Sequence, residues 1–204
     1  MQDTVETAKL QDQQCNRGNS CCFTGHRPEK LPWKFDEMDV RCLALKRRMM
    51  AAVETAYAEG YRRFLCGMAD GCDFYFCECV LALRERHPDV ILEAAIPCPR
   101  QEENWPEDQR VRYRHLVDCC DKRSVLTQTK NENCMLLRDR YMVDCSSLLI
   151  AAYGGTPGGT QYTIQYAISQ GVPVEDLKIL RPEDERETEK TQKKKRKKNT
   201  DCII

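Results

Sequence analysis

The chain has 204 residues and 41% hydrophobic content, which suits one domain with a real core. Its formal net charge is zero, so the composition argues against a wholesale nucleic-acid binder. No apolar run reaches the roughly 18 residues of a membrane span, and the first twenty residues lack the apolar stretch of a signal peptide, so a cytoplasmic protein is expected.

With no export signal, the 14 cysteines are expected to be free thiols rather than a disulfide framework. Cys77 with Cys79, and Cys119 with Cys120, lack the Cys-x-x-Cys spacing of a zinc knuckle. On a helix, Cys77 and Cys79 point to different faces. Most cysteines then serve as small buried hydrophobes, and no metal is expected. Residues 1–20 are polar and expected to be flexible. Residues 181–204 run from acidic to strongly basic with few apolar side chains, the composition of a disordered charged tail. The terminal DCII has Asp201 where a prenylation box needs cysteine. Residues 21–180 remain as the folded domain.

Strand and helix patterns alternate through that domain. CCFTG (21–25) is a short apolar run ending in glycine. Residues 38–60 have helical spacing, with Val40, Leu43, Ala44, the stem of Arg47, Met50 and Ala51 as the expected core face and Gly60 as the stop. YRRFLCG (61–67) reads as a strand. Residues 73–87 read as a helix ended by Pro88, and VILEAAIP (90–97) as a strand. A helix over 105–121 is expected to have Pro106 at its first position. SVLT (124–127) is a short strand, 133–146 a helix, and SLLIAAYGG (147–155) the most strand-like segment. Residues 159–171 form the last long helix, and 172–180 hold the last strand. This alternation predicts an α/β, three-layer, Rossmann-like fold with a mainly parallel sheet.

In such a sheet, ligands bind beyond the carboxyl ends of the strands. Three loops there are unusual. The first holds Thr24, Gly25, His26 and Arg27: a hydroxyl, a close backbone approach, a titrating ring and a bidentate phosphate clamp. The second, GMADGCD, holds Gly67, Met68, Ala69, Gly71 and Asp73. Asp73 is placed to cap the following helix, and the same turn offers amides to an anion. The third packs Gly154, Gly155, Gly158 and Gly159 ahead of Thr160 and a helix N-terminus. Glycines there remove Cβ atoms, so that a phosphate can approach the amides. It has no Gly-Lys-Ser/Thr and is no Walker A loop; nor is it Gly-x-Gly-x-x-Gly.

Taken together, FTGHRP, GMADGCD, IPCPRQEENWPEDQRVRYRHL and RDRYMVDCSSLLIAAYGGTPGGT resemble the YpsA-like family of the SLOG superfamily, which joins DprA (Smf) with the LOG enzymes. The resemblance covers about residues 21–180. It implies a Rossmann-like fold that binds a nucleotide or a nucleotide-derived ligand such as NAD or ADP-ribose, in a mostly bacterial and cytoplasmic family. GMADGCD is similar to the GLARGID type of loop in DprA. Met135, Arg138 and Met142 keep the spacing of the LOG enzymes' Met-x-x-Arg-x-x-x-Met. LOG enzymes cut the N-glycosidic bond of cytokinin nucleotides and carry Pro-Gly-Gly-x-Gly-Thr-x-x-Glu. Here PGGTQYTIQ starts alike at Pro157, then has Gln161, Tyr162, and Gln165 at the place of the catalytic Glu. A glutamine neither stabilises the sugar cation nor activates water well. Glu78 is the weak substitute among catalytic candidates.

Arg138 and Arg140, on the helix before the third loop, are candidates to reach a phosphate. Asp144, near that helix's unfavourable C-terminal dipole, is a candidate hydrogen-bonding group. Trp105 either stacks on a base or covers the core, and His115 is structural. The leading reading is a sensor or binding module for a nucleotide-like ligand, with no certain cofactor. The second is a nucleotide N-glycosidase or related hydrolase. A DprA-like single-strand DNA binder ranks below both. It would depend on the basic residues Lys193, Lys194, Lys195, Arg196, Lys197 and Lys198. Association as a homodimer is expected from the superfamily.

Overall fold

Four short apolar segments become strands covered on both faces, two more polar segments pair at the edges of the sheet, and five longer segments become the helices that cover it. The structure, a computed structural model, describes residues 17–179. The readings of a flexible start and a disordered basic tail therefore fall mainly outside the described residues. The strands are β1 Ser20–Gly25, β2 Arg63–Cys66, β3 Ile91–Ile96, β4 Lys122–Val125, β5 Leu148–Ala152 and β6 Val174–Asp176. All pair in parallel, in the order β4-β3-β2-β1-β5-β6. The helices are α1 Val40–Ala58, α2 Cys72–Arg86, α3 Glu107–Asp118, α4 Cys134–Asp144 and α5 Gly159–Ser169.

Alternate strand residues serve opposite layers, as the pleat requires. Cys21, Phe23, Phe64, Cys66, Leu92 and Ile150 join the core with α1, α2 and α3. Cys22, Leu65, Ala95 and Leu149 join a second core with Met142 and Val143 of α4 and Ala167 of α5. The fold is the expected three-layer α/β arrangement. From β1 the chain steps outward to β4, then crosses back to β5 on the other side of β1. The carboxyl ends of β1 and β5 therefore meet at the switch point where an open sheet leaves a crevice.

Several local expectations need correction. The core face of α1 is Cys42, Leu45, Met49, Ala52, Val53 and Ala56. The stripe read from the sequence is largely the opposite one, and Val40 is 71% exposed. An apolar residue at every third or fourth position occurs on both faces of this helix, so periodicity alone chose the wrong side. Its stop is as expected. Gly60 has φ 100°, its amide bonds Tyr57, and the Tyr61 amide bonds Ala56, which is the Schellman pattern. Pro106 is the N-cap of α3 rather than its first residue. β4 begins two residues earlier than SVLT, at Lys122. Trp105 makes edge contacts with Phe74 and Tyr113, so it covers the core. His115 lies on the exposed side of α3. Eleven cysteines among the described residues are free thiols, most of them buried, but Cys145 is disulfide-bonded. Among the described residues no helix is long and apolar enough to cross a membrane, and no group of His, Cys, Asp and Glu is arranged to hold a metal ion.

Candidate functional site

A cavity of about 330 Å³ opens at the switch point between β1 and β5. Its β1 side is Phe23, Thr24, Gly25, His26, Arg27, Glu29 and Lys30. Ala69 and Asp73 come from the second loop, Met135, Arg138, Asp139 and Met142 from α4, and Gly159 and Thr160 from α5. All three loops singled out from the sequence thus contribute to one crevice.

Main-chain bonds fix the first loop. The His26 amide donates to the Ala152 carbonyl at 3.3 Å, and the His26 carbonyl accepts from the Cys72 amide at 3.2 Å. β1, β5 and the start of α2 are therefore tied through one residue. The Thr160 hydroxyl donates to the Gly25 carbonyl at 3.0 Å and lies 3.4 Å from His26 Nδ1. This docks the first turn of α5 on the end of β1. The N-cap of α5, Gly158, has no side chain to cap the first amides, so Gly159 and Thr160 meet the cavity with their N–H groups outside the helix ladder.

The floor is a buried charge cluster. Arg138 is 7% exposed; its Nε lies 2.8 Å from Asp139 Oδ1, and its Nη1 lies 3.9 Å from Asp73 Oδ2. Nη1 also donates to the Gly67 carbonyl. A Cβ on Gly67 would fall 1.7 Å from Nη1, so this glycine is required by the guanidinium. Contrary to the expectation from the sequence, Asp73 does not cap its own helix, whose N-cap is Gly71. It is the second residue of α2, and its Oδ2 accepts the Ala69 amide at 3.0 Å, which holds the preceding loop. Met68 in that loop has φ 54°, and its carbonyl accepts from Gln101 Nε2 at 2.7 Å. Burial pushes the Asp73 carboxyl up to about 6, against the pull of Arg138 and the Ala69 amide. Burial also raises Asp139, again opposed first by Arg138. One guanidinium does not fully compensate two buried carboxylates.

The glycine-rich loop answers differently from its sequence reading. What approaches Gly158 is Lys30, whose Nζ donates to the Pro157 carbonyl at 2.7 Å and would lie 2.4 Å from a Cβ on Gly158. The close neighbours that these glycines admit at positions 67 and 158 are cations of the protein itself. Gly154 and Gly155 shape the turn between β5 and α5 and do not line the cavity, and neither do Gly67, Met68 and Gly71.

Three candidates lie elsewhere. Glu78 accepts from Arg112 at 2.6 Å on the α2–α3 side, in a network with Glu37. Arg140 Nε donates to the Tyr162 hydroxyl at 2.6 Å, and Asp144 accepts from Tyr166 at 3.0 Å, both on the outer surface of α4 and α5. Three polar groups of the cavity escaped the sequence reading, Glu29, Lys30 and Asp139. Asp139 stood in reach of it: it follows Met135 by four residues and Arg138 by one, so it belongs to the face already marked by Met135, Arg138 and Met142. No local signal marked Lys30.

Comparison with known proteins agrees with this architecture. DNA processing protein A (DprA) from Streptococcus pneumoniae superposes with a TM-score of 0.51 at 12% identity, over 77% of this chain and 49% of that one. DNA processing protein A from Helicobacter pylori, known for a single-stranded DNA binding mode, gives 0.52 at 13% identity, over 81% and 67%. At that identity the likeness is one of fold, and this chain spans about half the length of the streptococcal protein. In sequence, the chain is 30% identical to an uncharacterized SPbeta prophage-derived protein, YoqJ, of Bacillus subtilis (strain 168), over 61% of this chain and 81% of that one. It is 29% identical to a UPF0398 protein of Bacillus cereus (strain B4264), over 72% and 82%. The YpsA family model, described as YspA SLOG family, matches residues 21–178, nearly all of the α/β domain. The chain belongs to the YspA SLOG family.

Proposed function

We propose that the cavity binds a nucleotide or a nucleotide-derived ligand, and that the protein acts as a sensor or binding module for it. The observation that carries this reading is the cavity's polarity. Arg27, Lys30 and the N-terminus of α5 offer positive charge and backbone donors on one side. Asp73 and Asp139 offer buried carboxyl oxygens on the floor. A phosphate suits the first set. The hydroxyls of a ribose suit the second, because each donates to a carboxylate that Arg138 alone leaves under-compensated. A sugar phosphate presents both chemistries on one small frame. NAD and ADP-ribose share that frame and belong among the candidate ligands.

The test is thermal denaturation of the full chain against mono-, di- and trinucleotides, cyclic nucleotides, NAD and ADP-ribose. A ligand at a hundred times its dissociation constant adds about 2.7 kcal/mol. For this size of domain the midpoint then rises by roughly 5–10 °C. A shift with one class, lost in Arg27→Ala, is expected. No shift with any member overturns the reading.

A second reading, a nucleotide-processing hydrolase, is favoured by one specific observation. Asp73, pushed up to about 6, exchanges its proton closer to neutrality than an ordinary aspartate, next to a second raised carboxyl on Asp139. Such a pair provides an acid and a base where Gln165 provides neither. Gln165 is exposed on α5 and does not line the cavity. Release of free base from the ligand identified above would establish turnover, and stoichiometric binding without release would leave the sensor. Single-strand DNA binding, named for the Helicobacter pylori neighbour, ranks third. For this chain it would draw on the basic residues 193–198, outside the described residues.

A further inference from the structure

Two of the described thiols are buried without being part of a core. Cys98 is 0% exposed and Cys134 2%, yet neither belongs to an apolar cluster, whereas the other buried free cysteines all pack into one of the two. Cys134 Sγ lies 3.9 Å from Cys98 Sγ, although the two residues stand 36 apart in the chain. Cys98 follows the end of β3, and Cys134 is the first residue of α4. The chain beside them meets solvent. Pro99 and Arg100 are exposed, and residues 128–133 are all exposed and lie in no strand or helix. Segments of this kind open locally at low cost. Burial raises the Cys98 thiol, Cys134 adds to that, and Lys130 opposes it. At rest Cys98 is therefore a thiol, and its reaction waits for such an opening.

Both cysteines are tied to the cavity through their own neighbours. Gln101, three residues after Cys98, donates to the Met68 carbonyl at 2.7 Å. It so holds the loop that brings Ala69 and Asp73 to the cavity. Met135, next to Cys134, lines the cavity, and Arg138 follows one helical turn after Cys134. A disulfide holds its sulfurs about 2.05 Å apart. Closing the gap from 3.9 Å draws the first turn of α4 toward the loop after β3. One carries Met135, and the other carries the bond to Met68. We propose that Cys98 and Cys134 are a redox pair, which a peroxide oxidises to a reversible disulfide that reshapes the cavity. On opening, one thiolate attacks a peroxide oxygen and becomes a sulfenic acid, releasing hydroxide. The second sulfur then displaces the sulfenic oxygen as water and forms the S–S bond. The two sulfurs lose two electrons, the peroxide gains them, and the two thiol protons end in the two waters formed. Only the consequence for ligand binding rests on the nucleotide reading above.

Trypsin separates the pair. Cys98 is the only cysteine of residues 87–100, and Cys134 the only one of residues 131–138. The test treats the reduced full chain, Cys98→Ser and Cys134→Ser with hydrogen peroxide. Remaining thiols are alkylated, the chain is digested without reductant, and the peptides are weighed. The expected product has the summed mass of the two peptides less two hydrogens. It disappears with dithiothreitol and is absent from both variants. Hydrogen exchange reads the cavity without any ligand. Oxidation should change exchange in residues 67–73 and 135–142 by at least about threefold in the parent and leave both variants unchanged. Thiols at 98 and 134 that survive the peroxide, or that oxidise separately to sulfinic acids, overturn the proposal. So does a disulfide that leaves exchange around the cavity unchanged. Mapping and exchange on the parent decide even where circular dichroism shows a variant to be unfolded. A missing ligand shift beside the expected disulfide and exchange counts against the nucleotide reading alone.

Discussion

Two buried charge clusters sit in this domain, and they are compensated differently. Glu93, in the middle of β3, is fully buried and fully served. Arg63 reaches its Oε2 at 2.5 and 2.8 Å, Ser124 and Tyr141 donate to Oε1 at 2.7 Å each, and Lys122 stands at 3.6 Å. Its carboxyl is held below the usual range: burial is the largest influence and raises it, but the hydrogen bonds and Arg63 together overcome it. Asp73 and Asp139 share one guanidinium, and both are raised. The first cluster does not line the cavity described above, whereas the second forms its floor. A charge buried for stability is surrounded until its lone pairs are used, and a charge left partly unserved beside an opening is a candidate for a use outside the fold.

Removal of Glu93 tests the structural half and carries the largest effect. Glu93→Ala leaves Arg63 without its partner, and a loss of roughly 3–5 kcal/mol is expected from urea unfolding. The effect depends on pH in a defined direction. Because the folded pKa is depressed, the glutamate stabilises above its unfolded value and that contribution fades as pH falls through the folded value. The parent and Glu93→Ala should therefore approach each other in stability on acidification.

Gly67→Ala comes next. It places a Cβ where the Arg138 guanidinium sits, so the arginine must leave the Gly67 carbonyl and loosen from both aspartates. A cost of about 1–3 kcal/mol is expected, accompanied by loss of any ligand-induced thermal shift. A variant that keeps both its stability and that shift would contradict the assignment of this glycine to Arg138.

For Asp73→Asn the sign reverses. A carboxyl raised on folding stabilises the protein while protonated, and that contribution is lost as pH rises through its folded value of about 6. Asparagine can still accept the Ala69 amide and carries no charge. Relative to the parent, Asp73→Asn should gain on the order of 1–3 kcal/mol between about pH 4 and pH 8 while losing ligand affinity. Opposite pH trends for Glu93→Ala and Asp73→Asn would sharpen the comparison of the two clusters; parallel trends would break it. The smallest expected effect on stability is that of Arg27→Ala on the rim, within roughly 0.5 kcal/mol, although it should weaken an anionic ligand.

The order of strands and helices was legible because periodicity and apolar runs are local properties. LLIAA is buried at every position of β5, as a continuous apolar run predicts. The loops of the site were legible for a related reason. Strand carboxyl ends and glycines mark them, so Thr24 to Arg27, Ala69, Asp73, Gly159 and Thr160 were found before the crevice was seen. What escaped depends on the third dimension. Lys30 reaches the Pro157 carbonyl across 127 residues of chain, and no nearby residue announces it. Arg140 and Asp144 share α4 with Arg138, but their positions turn them outward to Tyr162 and Tyr166. Gly158 was read as a place where a phosphate comes close and Gly67 as part of a turn; the groups that come close to both are side chains of the same protein, Lys30 and Arg138. In α1 both faces satisfied the apolar pattern, and only the packing against the sheet decided between them.

The most direct test of the account is calorimetric titration of the full chain with the best nucleotide of the panel and with the matching nucleoside. The account predicts measurable binding of the nucleotide and at least about tenfold weaker binding of the nucleoside, since a charge-assisted phosphate contact is worth roughly 1.5–3 kcal/mol. Arg27→Ala should close that gap. Equal affinity for the two, or none for either, would contradict a phosphate end to this cavity.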